Sequence, residues 1–63
     1  MAIKLNPDFA DAHNNLGVAL VAEGKNEEAI SHYKMAIKLN PGFAAAQKNL
    51  ETALRSMEMQ DLF

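Results

Sequence analysis

The stretch MAIKLNPDFADAHNNL, Met1–Leu16, returns as MAIKLNPGFAAAQKNL, Met35–Leu50, an offset of 34 residues. A period of that length on helix-forming sequence is the signature of stacked helix pairs. Within each copy, an Asn-Pro step interrupts the pattern at Asn6-Pro7 and Asn40-Pro41. Proline disfavours helix in the residue before it and suits the first turn of the next helix. Each copy therefore reads as the end of one helix followed by the start of another.

The chain divides accordingly. Met1 to Leu5 matches the last turn of a helix, because its copy, Met35 to Leu39, ends a long helical run. A single isolated turn frays, since helix nucleation is costly, and its Ile3 and Leu5 call for a neighbour to cover them. Asn6 suits the cap of a first full helix from about Pro7 to Glu23, with Asp8 and Asp11 near its positive end. The 3–4–3 rhythm of Ala12, Leu16, Ala19 and Leu20 marks its buried stripe. Gly24 supplies a left-handed C-cap. Asn26 is the expected N-cap of a second helix, from about Glu27 to Leu39, with Glu27 and Glu28 in its first turn. Its stripe is Ala29, Ile30, Tyr33, Ala36 and Ile37. The short link makes the two helices an antiparallel hairpin. A third helix is expected from the Asn40-Pro41-Gly42 break to about Gln60, with Leu50, Ala53, Leu54 and Met57 on its stripe.

Composition narrows the classes of function. Sixty-three residues without cysteine can form neither a disulfide nor a thiolate metal site. So small a chain buries little surface and must rely on helix packing, including contacts between chains. The net charge of −2 comes from mixed charges and offers no basic footprint for nucleic acid. Apolar runs fall short of a membrane span, and the N-terminus lacks the pattern of a signal peptide. A soluble, cytoplasmic chain with no cofactor is the expectation.

These residues resemble the tetratricopeptide repeat family. Leu16-Gly17 matches its leucine–glycine pair, Leu20 the large residue that follows, and Gly24 the turn. Ala29, Tyr33 and Ala36 match its alanine–aromatic–alanine spacing, and Pro41 its closing proline. His13 stands where a large apolar residue is usual, and Glu51 where the first copy has Gly17. The resemblance implies an all-α fragment of an α-solenoid. Residues 1–5 are then a remnant of a preceding helix, 7–40 one full unit, and 41–63 the first helix of a next unit acting as a cap. It also implies a scaffold that binds protein rather than an enzyme. The wording of the first copy is similar to repeats of O-linked N-acetylglucosamine transferases.

In such an array the first helix of each pair lines a concave face. Here that face holds Asp11, Asn14, Asn15, Val18, Val21 and Ala22, then Ala45, Lys48, Asn49, Thr52, Arg55 and Ser56. Asn15 and Asn49 are equivalent positions, and amide side chains donate and accept together. A row of them suits the backbone of an extended peptide, as the resemblance implies. The plainer reading makes them surface asparagines. The peptide-binding candidates are Asn14, Asn15, Val18, Lys48, Asn49, Thr52 and Arg55. A carboxylate clamp through Lys48, Asn49 and Arg55 is a weaker fit, because Asn14 and Val18 offer no matching charge.

Two further functions compete. Self-association, through the apolar ends of a repeat fragment or by helix exchange through the Gly24 turn, is one, with Ile3, Leu5, Met57, Leu62 and Phe63 as candidates. A substrate-recruiting segment of a larger enzyme is the other. His13 and His32 sit on different helices, His13 on the packing stripe, and a core histidine bonded to a neighbour is expected rather than a metal site or general base. Glu51 and Arg55 read as a surface pair. No nucleophile–base set or phosphate loop is present.

Overall fold

The computed structural model describes residues 7–61. The remnant 1–5, with Ile3 and Leu5, lies outside those residues, as do Asn6, Leu62 and Phe63. Three helices follow in order: α1 (Pro7–Ala22), α2 (Asn26–Leu39) and α3 (Ala44–Asp61). No strand occurs among the described residues. The fold is all-α, an antiparallel hairpin of α1 and α2 with α3 packed chiefly on α2.

The α1–α2 turn is fixed by backbone chemistry. Gly24 takes φ of 84°, a left-handed conformation that a Cβ disfavours. Around it the Lys25 N–H donates to the Leu20 carbonyl at 2.8 Å and the Gly24 N–H to Val21 at 2.9 Å. This crossed pair is a Schellman motif, which satisfies carbonyls left open at the helix end. The cap of α2 differs from expectation. Lys25, not Asn26, is the N-cap residue, and no side chain bonds there. Asn26 is already inside the helix because the Schellman turn ends one residue earlier. Glu27 and Glu28 do occupy the first turn of α2.

The second break also differs. Pro41 and Gly42 form a turn and Phe43 precedes α3, whose first residue is Ala44. The Phe43 N–H donates to the Asn40 carbonyl at 2.9 Å, closing the turn before the helix begins. Gln47 Nε2 reaches back to the Pro41 carbonyl at 2.7 Å and ties that turn to the first turns of α3.

The core is small. Leu20, Ala29, Ile30, Tyr33 and Ala53 form one buried cluster, with Leu50 and Met57 packed against it. The α2 stripe is as expected for Ala29, Ile30, Tyr33 and Ala36, with Ile37 half-buried. The α1 stripe is corrected: Ala10, Asn14, Gly17 and Leu20 are the buried positions, while Ala12, Leu16 and Ala19 are exposed. A hairpin with a large ring between its helices buries the small residues of α1 against α2. The apolar rhythm therefore lies on another face. Leu54 is also exposed, since α3 packs on one principal neighbour and buries a narrow arc. Met57 is half-buried and packs against this cluster.

Candidate binding cleft

Two amides meet between α1 and α3. Asn49 Nδ2 donates to Asn14 Oδ1 at 2.9 Å, and Asn14 is buried. This bond joins the first and third helices directly. Asn49 is the repeat equivalent of Asn15, and its hydrogen-bond partner is Asn14. One residue along a helix rotates the side chain by about 100°, so Asn15 points away from α3 and is exposed.

Beside this bond lies an open cleft of about 180 Å³ lined by Val18, Val21, Tyr33, Asn49, Thr52, Ala53 and Ser56. It brings together five positions of the expected concave face: Val18 and Val21 from α1, and Asn49, Thr52 and Ser56 from α3. Tyr33 and Ala53 join them, though their spacing marks them only as core. They are core residues that also form the cleft's lining. Burial holds the Tyr33 phenol above its ordinary value.

The remaining candidates stand outside the cleft. Lys48 is exposed; its carbonyl accepts the Thr52 hydroxyl at 3.0 Å. Arg55 Nη2 lies 3.5 Å from Glu51 Oε2 on the open surface, so the expected surface pair forms. Lys48, Asn49 and Arg55 are therefore not convergent cleft donors, and the carboxylate clamp has no built site here. A larger hollow of about 310 Å³ at the turn end is lined by Gly24, Lys25, Asn26, Glu27, Glu28 and Met57. Its rim mixes both charge signs.

The two histidines meet. His13 Nδ1 lies 3.0 Å from His32 Nδ1, with ring centroids 5.3 Å apart and planes tilted by 26°. The centroid distance equals the nitrogen distance plus one ring radius on each side. The nitrogens therefore point straight at one another, in an N–H···N hydrogen bond that pins α1 to α2. Each histidine was legible as a helical residue; their meeting depends on the register of the hairpin. Among the described residues no group of three or more His, Cys, Asp and Glu side chains is placed to hold a metal. No helix among them is long and apolar enough to cross a membrane.

A two-helix unit closed by Gly17 against Tyr33, and followed by a third helix in the same register, defines a helical-repeat scaffold. The tetratricopeptide repeat family matches residues 10–43, more than half of the chain. The chain belongs to that family, whose repeats are in general non-catalytic protein-interaction motifs. No curated protein and no solved structure matches it.

Proposed function

We propose that this chain binds an extended segment of a partner protein in the cleft between α1 and α3. The observation that carries the reading is the lining itself. Val18, Val21 and Ala53 give an apolar surface, and Asn49, Thr52 and Ser56 give polar atoms along one edge. Such a mixture suits a peptide whose backbone needs hydrogen bonds and whose side chains need apolar contact. Asn49 has one amide N–H committed to Asn14. Its second N–H and its carbonyl remain for a peptide backbone.

The likeness to O-linked N-acetylglucosamine transferase repeats supports asparagine-mediated backbone contact, with Asn49 the central residue and Asn15 outside the cleft. A substrate-recruiting segment of a larger enzyme would use the same surface. Self-association through the outer faces of the hairpin would leave the cleft open.

The test is selection of peptides from a random displayed library against the folded chain, followed by titration against an Asn49→Ala, Thr52→Ala variant. Selected peptides should bind the variant about tenfold more weakly, the loss expected for one or two hydrogen bonds. Equal binding to both proteins, or no selected peptide at all, overturns the cleft reading.

A further inference from the structure

Tyr33 is 2% exposed, yet among the described residues its hydroxyl forms no hydrogen bond. Nor is the hydroxyl sealed in, because no fully buried side-chain oxygen or nitrogen among those residues lacks a partner. It therefore opens to solvent, and the cleft that Tyr33 lines is where it does so. Gly17 makes room for it. A Cβ at position 17 would come within 2.9 Å of Cζ, the ring carbon that bears the hydroxyl. Burial holds the phenol above its ordinary value, so at neutral pH the group is a hydrogen-bond donor.

The rest of the lining fixes what this donor suits. The Thr52 hydroxyl donates its proton to the Lys48 carbonyl at 3.0 Å, so toward the cleft it only accepts. Val18, Val21 and Ala53 are apolar, and no charged side chain lines the cleft. A donor, an acceptor and an apolar wall complement a primary carboxamide on a methylene stem, whose oxygen accepts and whose NH2 donates. A carboxylate offers acceptors alone and would be desolvated with no cation in return, and an ammonium offers donors alone. A main chain running along the cleft passes above a group this buried, whereas a side chain reaches down to it. The volume of about 180 Å³ admits one, since a cavity of about 150 Å³ holds a benzene molecule.

We propose that Tyr33 determines the specificity of the cleft, and that the partner segment inserts a glutamine side chain there. The carboxamide oxygen accepts from the Tyr33 hydroxyl, its NH2 donates to Thr52, and its methylenes lie against the valines. The assignment rests on the cleft reading above and adds to it. Asn49 and Ser56 remain for the backbone of the segment, while Tyr33 and Thr52 select one of its side chains.

The test selects peptides from a random displayed library against the full chain and, in parallel, against Tyr33→Phe. That variant keeps the ring and breaks no bond within the chain, so its thermal unfolding by circular dichroism should match the parent's. Peptides selected on the parent should share a glutamine at one position, and those selected on Tyr33→Phe should not. Replacing that glutamine by methionine, of equal length but without the carboxamide, should weaken binding to the parent about tenfold, and glutamate should weaken it at least as much. The glutamine peptide should bind Tyr33→Phe about tenfold more weakly than the parent, while the methionine peptide binds both alike. Thr52→Val, which removes the acceptor, should repeat this pattern independently. Peptides that weaken on Asn49→Ala, Thr52→Ala but share no glutamine, or that bind the parent and Tyr33→Phe equally, overturn the glutamine assignment and leave the cleft reading standing. Peptides indifferent to Asn49→Ala, Thr52→Ala, or no selected peptide at all, overturn both.

Discussion

Gly17 of α1 and Tyr33 of α2 form one packing unit: a Cβ at position 17 would stand 2.8 Å from Tyr33 Cδ1 and closer still to Cε1. The ring is 2% exposed and packs in one cluster with Leu20, Ile30 and Ala53, which resists its displacement. Glycine inside a helix costs about 1 kcal/mol relative to alanine. That cost is offset here by the space it leaves for the ring.

Gly17→Ala is therefore expected to destabilise the chain despite its better helix propensity. Overpacking a tight core costs about 1–3 kcal/mol, which exceeds the propensity gain at its upper end. The net loss should be up to about 2 kcal/mol by urea denaturation. Adding Tyr33→Leu should shrink the penalty of Gly17→Ala. If Gly17→Ala is more stable than the parent, the ring is not wedged against position 17.

Tyr33 also sets an alkaline limit. Burial raises its folded-state pKa above the ordinary 10.0. The unfolded chain then loses the phenolic proton first. The full contribution is present below pH 10.0 and is lost as pH rises through the folded value. Stability measured from pH 9 to above 10 should fall in the parent. The fall should be shallower in Tyr33→Phe, which has no phenol to lose a proton. Parallel alkaline limbs in the two proteins would contradict this assignment.

The parts of this fold that are legible in sequence are those fixed by local backbone chemistry. Gly24 ends α1 because its left-handed backbone is a property of one residue, and the α2 stripe follows from spacing alone. The α1 stripe was misassigned for a physical reason. Spacing reveals that Ala12, Leu16 and Ala19 share a face, but not which neighbour covers it. The hairpin instead buries Ala10 and Gly17, whose small size is a weaker signal. In the cleft, Val18, Asn49 and Thr52 were placed by their helix faces. Tyr33 was missed as lining because a core residue can also border an opening. The Asn14–Asn49 and His13–His32 bonds depend on the register between helices, which one helix's sequence does not carry.

The Asn14–Asn49 bond can be separated from simple burial by a double-mutant cycle. Asn14→Ala and Asn49→Ala should each destabilise the chain, and together cost less than their sum. A coupling of about 0.5–1.5 kcal/mol is expected for one neutral hydrogen bond. Asn15→Ala, at an exposed position, should stay within about 0.5 kcal/mol of the parent. Additive losses at positions 14 and 49 would mean that the amides do not depend on one another.

The histidine pair makes a sharper demand, because a head-on N–H···N bond requires one ring to donate from Nδ1 and the other to accept there. With both rings neutral, the donor carries its proton on Nδ1 and leaves Nε2 bare, while the acceptor carries its proton on Nε2. Nitrogen-15 NMR of the ring nitrogens should therefore find unequal tautomer populations that change together in the two residues. His32→Ala should abolish this correlation at His13 and destabilise the hairpin by about 1 kcal/mol. His13→Ala should do the same at His32. Rings that respond independently, with each ring's tautomer populations unaltered by removal of the other, would show that the two helices are not joined at this point.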